Sequence, residues 1–74
     1  MSTESVKFVR RYTEARQTPL GPAQFSYEIY KSDTAEAARQ FLEHHNVGEP
    51  QHYVVVETPE GNWAKDIQGM YKED

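Results

Sequence analysis

The sequence predicts a single α+β domain in which two β-hairpins flank one helix, in the order ββαββ. Three observations support this class: an amphipathic helical pattern over residues 33–46, β-forming stretches on both sides of it, and turns rich in glycine and proline. A chain of 74 residues leaves room for one domain. We expect an antiparallel or mixed sheet of three to four strands packed on the helix, with residues 1–5 and 72–74 disordered.

The first hairpin is predicted within residues 6–31. Residues 24–31 alternate between apolar and polar side chains, as a half-buried strand does. The residues on the apolar side are Phe25, Tyr27 and Ile29. Residues 6–15 are rich in β-forming side chains, and residues 19–22 break the chain, so a loose hairpin is expected. A short helix over residues 6–15 is the alternative, because their apolar positions also fit a period of 3.6.

The helix over residues 33–46 has the clearest pattern in the chain. Asp33 and Glu36 have the spacing of a capping box, and both acids suit the positive end of the helix dipole. A stripe at helical spacing follows, made of Ala35, Ala38, Phe41, Leu42 and His45. Asn46 or Gly48 can end the helix.

The second hairpin is predicted from the β-branched stretch 52–58 and the turn Pro59-Glu60-Gly61. A type I turn followed by a glycine bulge would place Thr58 opposite Asn62. On one face this register pairs Val56 with Ala64 and Val54 with Asp66. On the other face it pairs Glu57 with Trp63, Val55 with Lys65 and Tyr53 with Ile67. Gly69 is expected to bend the chain before a short final segment.

Both faces of this hairpin carry apolar side chains, and one helix cannot cover both. The uncovered side forms a candidate partner surface, composed of Tyr53, Val55, Trp63, Lys65 and Ile67. The sequence therefore predicts a non-catalytic protein-interaction module that docks a protein partner or a second copy of itself. The alternative is that the first hairpin or the C-terminal tail folds over this surface, or that strand 52–58 is simply central in the sheet.

Binding of single-stranded nucleic acid is the second hypothesis. Its candidate surface consists of Arg10, Arg11, Phe25 and Tyr27, because aromatic rings stack on bases and arginines neutralise phosphates. Residues 1–17 carry four basic and two acidic side chains, whereas residues 18–74 carry four basic and ten acidic ones. An acidic body repels a phosphate backbone, so nucleic acid is the less favoured partner.

The sequence predicts no enzymatic activity, no cofactor and no metal. It contains no cysteine, no nucleophile-elbow motif and no glycine cluster that would cradle phosphate. His44 and His45 point about 100° apart on a helix and cannot chelate one ion together. His52 completes no zinc-binding spacing with them.

Cytoplasmic location without membrane association is expected. The sequence has no apolar stretch of about 18 residues, no signal-peptide pattern at its first five residues, and no cysteine that would mark an oxidising compartment.

The stretch from Tyr53 to Trp63, followed by Asp66, Gly69 and the pair Tyr71-Lys72, resembles the end of small uncharacterised bacterial proteins, cyanobacterial ones included. The resemblance covers the last third of the chain and implies a bacterial origin. Those proteins have no assigned activity, so it implies none for this chain.

Overall fold

A computed structural model describes residues 6–73. The elements are β1 Lys7–Thr18, β2 Gly21–Lys31, α1 Ala35–His44, β3 His52–Thr58, β4 Gly61–Asp66 and β5 Gly69–Glu73. The strands form one sheet in chain order. β2 and β3 are parallel and are joined through α1, while the other neighbouring strands are antiparallel. The α+β class is therefore confirmed, and the sheet is mixed.

The sheet has five strands rather than the three to four expected from the sequence. The extra strand, β5, pairs with β4 from Asp66 opposite Gly69 to Asn62 opposite Glu73. The Asp66 carboxylate accepts a hydrogen bond from the Gln68 N–H at 2.8 Å and closes a two-residue turn. Gly69, at φ +142°, bends the chain back onto the sheet instead of away from it. Residues 72 and 73 thus belong to β5, whereas the disorder expected for residues 1–5 and 74 lies outside the described residues.

The first hairpin is longer than expected, and residues 7–15 are strand rather than helix. A register shift between Phe8 and Arg10 leaves Val9 as a bulge in β1, the edge strand. Only residues 26–31 of β2 pair with β3, so the outer part of the hairpin projects beyond the rest of the sheet.

The same four-residue turn, Thr-Pro-x-Gly, closes both the β1–β2 and the β3–β4 hairpins. In the second of these turns the Thr58 hydroxyl donates to the Gly61 carbonyl at 2.5 Å and accepts from the Glu60 N–H at 3.1 Å. Gly61 has φ +125°, a conformation that glycine adopts without a side-chain clash. These bonds make the loop two residues long and place Thr58 opposite Gly61.

The predicted register of the second hairpin is therefore wrong by one residue. The observed pairs are Glu57 with Asn62, Val56 with Trp63, Val55 with Ala64 and Val54 with Lys65. Because side chains alternate along a strand, a shift of one residue moves every side chain of β4 to the other face. Asp66 pairs with Gly69 at the strand end and does not face Val54.

The helix α1 is shorter than the predicted 33–46 at both ends. Thr34 rather than Asp33 caps its start, and His45, in an extended conformation, ends it before Asn46 or Gly48. The Thr34 hydroxyl accepts from the Ala37 N–H at 3.1 Å, and Glu60 accepts from the Ala35 N–H at 2.8 Å. The helix packs through Ala38 and Leu42 on one side of the sheet. We call this side the helix face and the opposite side the open face. The central core residues on the helix face are Ala38, Leu42, Val54 and Val56, all fully buried.

Candidate functional site

The open face forms a hollow of about 450 Å³ across the middle of the sheet. Its floor is a small buried cluster of Ile29, Val55 and Ala64, against which Tyr12 and Tyr53 pack. These floor residues are neighbours across the strands, because Ile29 pairs with Val55 and Val55 with Ala64. The side chains that surround the floor include Tyr12, Arg16, Tyr53, Glu57, Tyr71 and Glu73.

Tyrosine rings form one wall of this hollow. The Tyr12 ring stacks on the Tyr27 ring at a centroid distance of 4.8 Å, and the Tyr53 ring meets Tyr27 edge-on at 5.6 Å. Tyr27 is buried, and its hydroxyl makes no hydrogen bond of normal geometry among residues 6–73, although the Glu14 side chain lies nearby. Burial raises the pKa of Tyr27 above its ordinary value.

Charges of opposite sign lie at the two sides of the open face. On the β1 side the guanidinium of Arg10 lies 4.9 Å from the centre of the Tyr12 ring, and that of Arg16 lies 5.6 Å from the Phe25 ring. On the β3–β5 side, Glu57 and Glu73 contribute carboxylates. The Tyr53 hydroxyl donates a hydrogen bond to Glu73. Burial, together with this bond, raises the pKa of Tyr53.

The structure divides the predicted partner surface between the two faces. Tyr53 and Val55 lie on the open face, as expected. Trp63 and Lys65 lie on the helix face because of the register shift, and Ile67 is exposed in the β4–β5 turn. Lys65 donates to the carbonyls of Leu42 and His45 at 2.7 and 2.6 Å, so its ammonium group satisfies the C-terminal end of α1.

The predicted nucleic-acid surface is also divided. Arg10, Phe25 and Tyr27 share the open face, where Arg16 joins them. Arg11 pairs with Glu28 and lies on the helix face. Strand alternation alone separates the neighbouring residues Arg10 and Arg11, so the sequence contained the signal needed to place them on opposite faces.

A second cluster, made of Glu28, His45 and His52, lies beside the C-terminal end of α1. The Nε2 atom of His52 is 2.8 Å from Oε2 of Glu28, and the Nε2 atom of His45 is 3.9 Å from Oε1. One potential ligand atom from each residue lies within 4.8 Å of the other two. The Tyr30 hydroxyl donates to Oε1 of Glu28 at 2.8 Å.

Opposing effects set the protonation of this cluster. Burial favours the neutral form of Glu28, but hydrogen bonds from Tyr30 and His52 outweigh it and lower the pKa of Glu28. Burial also lowers the pKa of His45, and the charges of His52 and Lys65 lower it further, although the Glu28 carboxylate opposes them. Burial and the bond to Glu28 raise the pKa of Tyr30 to about 12. The arrangement favours an ionised carboxylate beside a neutral His45 imidazole.

Sequence reasoning missed this cluster because its members are far apart along the chain. His44 and His45 do diverge, since His44 is exposed while His45 lies against Phe41 and Tyr30. His45 meets His52 only because α1 connects two parallel strands and returns the chain to the start of β3. The position of His45 on the apolar stripe was the one available signal.

Comparison with protein-family models, with curated proteins and with solved structures finds no match to the chain. The resemblance to bacterial proteins is therefore untested. At ten residues, α1 is too short to traverse a bilayer, and the part of the chain that the structure describes offers no longer helix.

Proposed function

We propose that the protein is a non-catalytic interaction module whose open face pairs with the open face of a second copy. The observation that carries this proposal is a sheet face that no second layer covers within residues 6–73, with tyrosine rings above a buried floor and opposite charges on its two sides. Sheets normally bury an apolar face against a second layer, which α1 supplies on the helix face alone.

Charge complementarity favours a second copy as the occupant. On the β1 side Arg10 and Arg16 outnumber Glu14, which pairs with Arg16 at 3.4 Å, whereas Glu73 gives the β5 edge a negative charge. A two-fold axis that runs along the strands above the centre of the sheet places β1 of each copy over β5 of the other. The Arg10 strand of each copy then lies over the β5 strand of its partner, which carries Glu73, and the tyrosine rings above both floors are enclosed between the sheets. Glu57, on the central strand β3, faces its own counterpart and opposes the contact.

Two neighbouring residues of β5 provide a matched test. Tyr71 pairs with Ala64 on the open face and is 38% exposed, whereas Met70 pairs with Lys65 on the helix face and is 37% exposed. Light scattering behind size exclusion should show a concentration-dependent dimer of the wild type. Tyr71→Ala should weaken this dimer about tenfold or more, because aromatic residues dominate the energetics of interfaces.

Met70→Ala is the control for that experiment and should leave the dimer unchanged. A strict monomer at every accessible concentration would refute self-association. Equal effects of Tyr71→Ala and Met70→Ala would show that the open face is not the contact surface.

A single-stranded nucleic acid is the second candidate for this face. The placement of Arg10 and Arg16 over the rings of Tyr12 and Phe25 favours it, since nucleic-acid binders combine arginine and aromatic side chains. The carboxylates of Glu57 and Glu73 in the same hollow oppose it. Salt-sensitive shifts of the Tyr12 and Phe25 signals on titration with a short oligonucleotide would support this candidate, and their absence would reject it.

A further inference from the structure

We propose that Glu28, His45 and His52 form a binding site for a divalent transition metal of the zinc class. Two imidazole nitrogens and one carboxylate oxygen converge in this cluster, which lies on the other side of the sheet from the proposed dimer surface. Zn²⁺ prefers nitrogen, sulfur and carboxylate ligands, whereas Mg²⁺ and Ca²⁺ prefer sites built from oxygen alone. The ligand types therefore favour Zn²⁺ and similar divalent transition-metal ions over Mg²⁺ and Ca²⁺.

The spacing of the three ligand atoms suits an ion. Bonds of about 2.0 Å at tetrahedral angles separate two ligand atoms by about 3.3 Å. The two separations from the Glu28 carboxylate, 2.8 Å from Oε2 to His52 and 3.9 Å from Oε1 to His45, lie on either side of that value. Ligand atoms within 4.8 Å of one another need only modest side-chain rotations to reach tetrahedral positions around one ion.

The surroundings hold these ligands in place and leave one side of the cluster accessible. The side chains of His45, His52 and Glu28 are 21%, 17% and 12% exposed. The Tyr30 hydroxyl fixes the carboxylate, as outer-shell hydrogen bonds do in metal sites. A hollow of about 410 Å³ beside Glu28 and His52 gives room for a water molecule or another ligand in the fourth position.

Two cations near the cluster limit the affinity. Arg11 lines the same hollow, and the Lys65 ammonium lies 2.6 Å from the His45 carbonyl. Both repel a divalent ion, so we expect weaker binding than at a structural zinc site with four protein ligands.

The test is calorimetric titration of the full chain, without an affinity tag, with ZnCl₂. The expected result is saturable binding of one ion per chain. Even outer-shell partners contribute about 10- to 100-fold to metal affinity, so His45→Ala and His52→Ala should each weaken binding at least tenfold. His44→Ala is the matched control and should leave the affinity unchanged, because the exposed His44 lies outside the cluster.

Two further measurements keep the proposal falsifiable if an alanine variant fails to fold. Glu28→Gln preserves the shape of the side chain, removes its charge and should also weaken zinc binding at least tenfold, with folding checked by circular dichroism. Co²⁺ should give the intense visible absorption of a four-coordinate ion in the wild type but not in Glu28→Gln. Absence of saturable binding, or binding that is lost in His44→Ala but kept in His45→Ala and His52→Ala, would overturn the proposal.

Discussion

Three consecutive valines of β3 show how the two faces of the sheet differ. Val54 and Val56 point to the helix face, where Leu42 and Ala38 of α1 bury them completely. Val55, between them, points to the open face and is buried by the side chains of its neighbours on the sheet. One face thus has a full second layer, and the other has a single row of rings and charged groups above its floor.

The two faces can also be compared by the polar groups that they bury. The aliphatic contacts beneath α1 include no polar side chain among the four central residues. The open face instead holds the Tyr27 hydroxyl, which is buried and has no partner in the described part of the chain. The helix face has its own such group in the Trp63 indole N–H, so the two faces differ in the layer that covers them rather than in hydrogen-bond satisfaction.

The largest expected effect is the loss of the α1 contact. Leu42→Ala should lower the free energy of unfolding by about 3 kcal/mol, because it removes a buried side chain and leaves a cavity against Val54 and Val56. A domain of this size has only a few kcal/mol of stability, so the variant should be largely unfolded. Urea denaturation followed by circular dichroism measures this, and a loss below about 1 kcal/mol would contradict the assigned core.

Substitution of adjacent valines sharpens the comparison of the faces. Val54→Ala should lower the free energy of unfolding by about 2 kcal/mol at any protein concentration, because α1 covers that site within one chain. Val55→Ala should lower the free energy of unfolding by about 1 kcal/mol in dilute solution, and by more at concentrations at which open faces pair. Urea denaturation at two protein concentrations tests this, and equal, concentration-independent losses would remove the distinction.

The sequence predicted the faces of β2 correctly but failed for β4. Apolar and polar side chains alternate over residues 24–31. This alternation alone predicts that Phe25, Tyr27 and Ile29 share one face, whatever the geometry of the preceding turn. The faces of β4 depend on whether the preceding loop has two or three residues. That choice rests on the hydrogen bonds of the Thr58 hydroxyl, which periodicity does not reveal.

Local sequence patterns could not predict the Glu28–His45–His52 cluster or the tyrosine wall, for a different reason. Glu28 meets His52 only because β2 and β3 are adjacent and parallel, a pairing fixed by the α1 crossover. Tyr12, Tyr27 and Tyr53 form a wall because they fall at matching positions in three strands. Both features depend on registers between distant segments, which the sequence specifies only through the complete fold.

Reversal of a charge on the β1 side should have a smaller effect than loss of an apolar contact. Arg10→Glu should weaken the proposed dimer several-fold and leave the stability of the monomer nearly unchanged, because Arg10 is exposed and ion pairs at the surface contribute about 1 kcal/mol or less. Arg11→Glu, on the helix face, is the control. Sedimentation at low and high salt measures the effect, and the difference between the two variants should shrink as salt screens the charges.

The smallest expected effect concerns the Tyr53–Glu73 hydrogen bond of the open face. The pKa of Tyr53 is raised in the folded state, so its contribution to stability is fully present below the unfolded value of about 10 and is lost as pH rises beyond it. Glu73→Gln removes the carboxylate that opposes ionisation and should bring the pKa of Tyr53 closer to its ordinary value. Spectroscopic titration of the tyrosines in the wild type, Glu73→Gln and Tyr53→Phe would resolve this shift.

If open faces pair, the titration of Tyr53 should also move to higher pH as protein concentration rises, because a covering partner deepens its burial. A titration that is independent of concentration would mean that solvent, rather than a second copy, covers the open face.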